Sequence, residues 1–210
     1  MIPTVAPGRE TDERGGPGRD PRTRRTVARL RDALRGLLET GSLDDVTVSA
    51  LCREAGVHRT TFYGHYASVG EVVADVFTDE LDTALDLEDT AGLSTAAVAE
   101  RFQDTLVSAL QTITADRTPF RAALSSASSS LFERSLLTMF RRRVESAIAI
   151  WRRHDAAHDV HSVVAVTMVA GGLTAAIEAW AESDDEDARA YADAVRDQMP
   201  RWWPRPDAEH

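Results

Sequence analysis

The sequence predicts an all-α protein of about nine helices, on three observations. Apolar residues recur at three- and four-residue steps through most of the chain, the spacing of one helix face. No segment alternates apolar and polar residues over the length of a strand. Gly, Pro and Ser-x-x-Glu signals punctuate the pattern at helical lengths. With 210 residues, 43% of them hydrophobic and 28% charged, the chain can bury a sizeable core and is ordinary in composition.

Residues 1–21 are rich in Gly, Pro and charge and predict a disordered arm. From Thr23, Val27, Leu30, Leu34, Leu37 and Leu38 mark one helix stripe, and Gly41 is placed to stop it. Thr47 is placed to cap a short helix through Ala55, broken by Gly56, and a third short helix is expected over Arg59 to His65. Ser68-Val69-Gly70-Glu71 reads as a capping box opening a longer helix with Val72, Val73, Val76, Phe77, Leu81 and Leu85 on one side. After a loop near Asp89–Gly92, Val98, Phe102, Leu106, Leu110 and Ile113 mark the next helix, and Pro119 suits the first turn of another. Ser125–Ser130 reads as a polar hinge. Ser130-Leu131-Phe132-Glu133 reads as a second box, opening a helix through Trp151. Val163, Val166, Val169, Ala170, Leu173, Ile177 and Trp180 mark another. Ser183-Asp184-Asp185-Glu186 reads as a third box before a last helix that ends ahead of Pro200. The organisation expected is an arm (1–21), a small helical domain (22–67), a larger one (68–200) and a tail (201–210).

No apolar run reads as a bilayer span, and the first residues lack the apolar stretch of a secretory signal. The single Cys excludes an intrachain disulfide, so a cytoplasmic location is expected. Net charge is −10, yet residues 22–66 carry eight Arg against five acids. A basic segment on an acidic body suggests one end that faces a polyanion, although many solvated helices carry as much.

The stretch SALCREAGVHRTTFYGHY, residues 49–66, sharpens this. A helix-turn-helix needs a small residue where two helices touch, a Gly at the turn and apolar anchors after it. Cys52, Gly56 and Phe62 stand at those spacings, with Leu51, Val57 and Tyr66 completing a small core. His58, Arg59, Thr60, Thr61, Tyr63, Gly64 and His65 are then left pointing outward, and a short helix bearing Arg and Thr suits a major groove. On spacing alone, a solvated surface helix fits equally well.

The run TVSALCREAGVHRTTFYGHYASVGEVV resembles the N-terminal domain of the TetR family of transcriptional regulators, over roughly residues 23–80. The resemblance implies a dimeric all-helical regulator, most simply a repressor on a palindromic operator. Three N-terminal helices would bind double-stranded DNA, and a helical body would dimerise and hold a small apolar effector. It implies phosphate contacts from Thr47, Thr61, Tyr63 and His65, and base contacts from Arg59, Thr60 and Tyr63 or Gly64. The chain departs from the pattern at His58, where a Ser cap is usual, at Val69, where a Lys is usual, and at Gly64, where a larger side chain is usual. TMVAGGLTAAIEAWAESDDEDARAYADAV resembles the family's last two helices, which implies a dimer interface on Ala170, Gly171, Gly172, Ala175, Ala176 and Ala179. Close packing inside one subunit is the alternative.

Phe102, Leu106, Phe120, Phe132, Met139, Phe140, Trp151, Met168 and Trp180 are candidates to line an effector pocket, although residues at such spacing commonly form core. His154, His158 and His161 would share a face if helical, at metal-ligand spacing, but the segment reads as an inter-helix loop. Cys52 reads as a small buried hydrophobe rather than a redox switch, and Arg141, Arg142 and Arg143 as a solvated face. No nucleophile–base set and no Gly-rich phosphate loop is present, so neither catalysis nor a cofactor or metal is expected. A regulator without effector, and a helical enzyme or interaction module, remain as other readings.

Overall fold

The computed structural model describes residues 21–87, 90–125 and 129–206, the Thr40 side chain aside. Among them the chain forms nine α-helices, one 3-10 turn and no strand. The helices are α1 (Pro21–Thr40), α2 (Val48–Ala55), α3 (Arg59–Tyr63), α4 (Val69–Ala84), α5 (Thr95–Ala115), α6 (Arg117–Ser125), α7 (Ser129–Arg153), α8 (Ser162–Glu182) and α9 (Ala188–Gln198), with the 3-10 turn at Leu43–Asp45. The expected arm lies outside the described residues except Pro21, as do parts of the loop at Asp89, the hinge at 126–128 and the tail at 207–210.

The local signals act through identifiable bonds. Pro21 opens α1, where a missing N–H costs nothing. Thr47 caps α2 by accepting from the Ala50 N–H at 3.1 Å. Gly56 ends it at φ 60°, a left-handed conformation that favours glycine. The Ser68 hydroxyl accepts from the Glu71 N–H at 3.3 Å, while Glu71 reaches back to the Ala67 N–H at 2.7 Å. The other two expected boxes do not form. Ser130 lies inside α7, which already begins at Ser129. Ser183 is the C-cap of α8, because that helix runs on to Glu182, and α9 is capped instead by Asp187, which accepts from the Ala190 N–H. The third helix is also shorter than expected, since Gly64 ends it.

Helices α1 to α3 pack as a small bundle, α1 packs on α4, and α4 packs along α7. α8 lies along α7, α6 is wedged against both, and α9 lies on α5. One apolar core runs without a break from Leu30, Leu34, Leu51 and Phe62 through the buried face of α4 into α7 and α8. A smaller core of Val98, Ala99, Ala147, Trp151 and Ala157 lies at the far end, against Trp202 and Trp203. α8 departs from expectation: it has 21 residues and contains an 18-residue stretch of mean hydropathy 1.6, so it is long and apolar enough to cross a bilayer by those two measures. Here it packs as a bundle helix, with Trp180 fully buried and donating to the Leu110 carbonyl at 2.9 Å.

Candidate nucleic-acid interface and cavity

Helices α2 and α3 form the helix-turn-helix geometry. Cys52, Ala55, Val57 and Phe62 are buried where the two helices meet, and the Val57 N–H donates to the Cys52 carbonyl at 2.9 Å. Phe62, with no exposed surface, sits edge-on to Tyr63 and near Tyr66. Burial pushes the Cys52 thiol pKa up, so it stays protonated and does not suit a redox switch. With the apolar side fixed inward, the other residues of α3 must face out. Thr47, His58, Arg59, Thr60, Thr61, Tyr63 and Gly64 are all exposed, and His65 is half-buried. Arg59 lies across this face, 3.5 Å from both the Ser49 and Tyr63 hydroxyls. His58 is the N-cap of α3 without a side-chain capping bond. Gly64 leaves one outward position without a side chain, and Val69 packs partly into the core where a surface cation is usual.

The basic segment divides in two. Arg31 reaches inward, with Nε and Nη2 on the Asp75 carboxylate at 2.9 and 2.7 Å and Nη1 on Asp79 at 2.8 Å. Arg35 meets Glu80 at 2.9 Å, and the Tyr66 hydroxyl also donates to Asp75. Burial alone would raise the Asp75 pKa, but the Arg31 and Tyr66 hydrogen bonds outweigh it and hold the carboxyl below its ordinary value. These two Arg hold α1 to α4 and are committed inside the molecule. Arg22, Arg24, Arg25 and Arg29 lie on the exposed side of α1. Three of them crowd its first turns, and among the described residues the first turn holds no acid to offset the positive end of the helix dipole. That placement costs helix stability and is understandable where an anion lies opposite.

The second concavity is a half-open cavity of about 480 Å³ lined by the end of α4, α5, α7, Leu173 of α8, α9 and residues 199–206. Phe102, Leu106 and Phe140 line it, as the sequence suggests. The other pocket candidates do not. Phe120 and Phe132 stack on Phe77 in the main core, at 4.8 and 6.1 Å between centroids. Trp151 is buried one layer behind, between Phe102 and Trp203. Met139 borders a shallower groove between α4 and α7, and Trp180 is core. Met168 is 71% exposed on the outer side of α8.

Sequence reasoning missed most of the remaining wall. Arg141 and Arg142 are exposed, as expected, and Arg143 is half-buried, but the run is not merely solvated. Arg142 and Arg143 grip Asp82 at the end of α4, Arg143 Nε at 2.6 Å from Oδ1, and Arg143 also donates to the Leu85 and Asp82 carbonyls. Trp203, Pro204 and Pro206 close one side from the expected tail; the adjacent pair Trp202-Trp203 between Pro200 and Pro204 was the available signal.

On α8 the outward face carries Val164, Met168, Gly172, Ala175 and Ala179, with Val163 72% exposed beside them. Gly171 and Ala176 are half-buried at its edge, while Ala170 is fully buried within the subunit. A Cβ added at Gly171 or Gly172 would meet nothing within 4 Å, so neither glycine is required by packing inside the chain. The His segment is divided: Arg153 ends α7 and residues 154–161 form a loop, with Asp155 and Ala157 at positive φ, so the three His share no helical face. Among the described residues no group of three or more ligating side chains is assembled.

Solved structures share this architecture. The dihydroxyacetone kinase operon activator DhaS matches at 13% identity over 83% of this chain and 96% of its own, with a TM-score of 0.55. RolR, solved in complex with resorcinol, matches at 24% identity over 84% of this chain and 88% of its own, with a TM-score of 0.53. A TetR transcriptional regulator from Rhodococcus sp. RHA1 matches at 16% identity over 86% of this chain and all of its own, with a TM-score of 0.54. No family model and no curated protein matches the chain. At these identities the likeness establishes the fold.

Proposed function

We propose that this chain, which has the fold of the TetR regulators, is a DNA-binding transcriptional regulator without catalytic activity that acts as a homodimeric, ligand-responsive repressor. The observation that carries the reading is the face of α3. Its apolar side is wholly spent on the fold, and its outward side presents Arg59, Thr60, Thr61 and Tyr63 together. One such helix reads only a few base pairs, whereas two related by a twofold axis, about 34 Å apart, read a palindrome. The outward apolar face of α8 suits that axis. Gly171 and Gly172 each cost a helix about 1 kcal/mol relative to Ala, and a partner backbone approaching them is a reason to keep them. The described residues of the body would hold the effector and the dimer contacts, and residues 22–67 the DNA.

Helix α4 links the two sites. Asp75, Asp79 and Glu80 fix it to α1, and Asp82 and Leu85 border the cavity. A ligand that fits the cavity best with α4 displaced would favour the conformation in which the two α3 helices are wrongly spaced, and would release DNA.

The test is a gel shift with the DNA upstream of the protein's own gene across a salt series, with and without candidate effectors. Absence of any salt-dependent, sequence-specific shift would remove the DNA reading. For the dimer, Gly171→Leu with Gly172→Leu should give a folded monomer that no longer holds its site, read by solution mass and circular dichroism. A double variant that stays a DNA-binding dimer would move the interface elsewhere.

A further inference from the structure

The walls of the cavity also bear on the charge of what fills it. Three guanidinium groups lie in the lining: Arg142, Arg143 and Arg196. Each is already held by a carboxylate of the protein. Arg142 and Arg143 share Asp82, and Arg196 holds Asp193 at 2.9 Å and Asp197 at 3.5 Å. Burial would raise the Asp82 pKa, but the two Arg hold it down, so the cluster is charged at neutral pH. Asp86 adds a lining carboxylate with no cation within ion-pair distance among the described residues. An anion entering the cavity would lie near Asp86, and the one lining guanidinium with N–H groups to spare, Arg142, is 65% exposed, where water screens what it can offer.

The rest of the wall is aromatic and aliphatic. Phe102 and Trp203 meet at 5.5 Å between centroids, with Trp151 backing both at 4.9 and 5.7 Å. Two hydroxyls offer polar contacts. Ser146 makes no hydrogen bond to the described residues, and Thr105 donates to the Phe102 carbonyl, which leaves its oxygen able to accept.

We propose that this cavity selects an uncharged aromatic ligand bearing a hydroxyl or carbonyl group over the matched anion, with Trp203 of the C-terminal segment as its stacking wall. The inference rests on the reading of the cavity as an effector site.

Full-length protein is titrated calorimetrically with 2-naphthol, 2-naphthoate and 2-naphthylmethylammonium at neutral pH, without DNA. The neutral probe should bind at least about tenfold more tightly than the anion, the scale on which an unpaired buried charge discriminates. Trp203→Ala should weaken 2-naphthol, and Trp203→Phe should restore most of the loss. Asp82→Asn should free its two Arg and raise 2-naphthoate affinity. Should that variant unfold by circular dichroism, the exposed Asp86→Asn serves in its place and should narrow the gap between neutral and anionic probes. Naphthoate binding as tightly as naphthol, no heat from any probe, or a Trp203→Ala variant that binds naphthol unchanged would overturn the proposal. DNA binding is scored on the same preparation without probe. A protein that shifts DNA but prefers the anion refutes this inference alone, and one that prefers naphthol but shifts no DNA refutes only the regulatory reading.

Discussion

The α3 face and the cavity are built in opposite ways. The first is nearly contiguous: residues 47–65 supply every side chain proposed to read bases, joined only by the Arg at the start of α1, and the one buried residue of α3, Phe62, fixes the direction of that helix. The second is assembled from the end of α4, α5, α7, α8, α9 and the segment from Met199 on, so no one of them defines it. A contiguous site stands or falls on a single anchor, whereas a dispersed one yields gradually as its walls shift. The core that joins the two is continuous.

Removing the anchor should have the largest effect. Phe62→Ala is expected to cost about 3–5 kcal/mol, the range for deleting a buried aromatic ring, measured by urea unfolding, and to abolish the shift. A loss below about 1 kcal/mol would mean that the anchor is not singular. Next comes the outward side of the same helix. Arg59→Ala should leave stability unchanged and weaken binding to a specific site by about 1–3 kcal/mol, with relaxed selectivity there. Unchanged affinity would show that α3 is not the reading helix.

The contrast between these sites also explains what the sequence discloses. Cys52, Gly56 and Phe62 stand at fixed separations along the chain, and spacing alone carries their geometry. Phe102 and Phe140, which line the cavity, recur at the same helical steps as Phe120 and Phe132, which fill the core. Only the packing of α5, α6 and α7 against other elements separates the two pairs, and a periodic pattern does not encode it. Arg142 and Arg143 read as a solvated run because their partner, Asp82, lies about sixty positions away. Caps failed where helix length decided them: Ser183 has the residues of an N-cap motif, but α8 reaches it first.

The Arg side chains of α1 sharpen the comparison further. Arg24→Ala with Arg25→Ala should lower the slope of log affinity against log salt by about 0.9 for each phosphate that the pair no longer neutralises. Arg31→Ala should instead lower stability and leave the slope nearly unaltered, because its charge is spent on Asp75 and Asp79. Equal slopes for the native chain and both variants would mean that the start of α1 takes no part. The smallest effect at neutral pH, and the last to appear, is titration. The folded-state pKa of Asp75 lies below the ordinary aspartate value of 3.8, so its contribution to stability is present above that pH and is lost as pH falls through the folded value. Acid unfolding of the native chain should therefore be steeper below about pH 4 than that of Asp75→Asn; identical profiles would show that the Arg31–Asp75–Tyr66 cluster does not couple folding to protons.

That cluster has a consequence for modularity. The sequence alone suggests a boundary between the small bundle and the body at residue 67, but the ion pairs that steady α1 end on Asp75, Asp79 and Glu80. Asp82, only two positions on, belongs to α7. The seam at which the N-terminal bundle can be exchanged between chains of this fold is therefore expected at Leu81, in the interior of a helix. A chimera joined at 67 would give the new module a foreign set of carboxylates, whereas one joined at 81 would carry its own hinge with it.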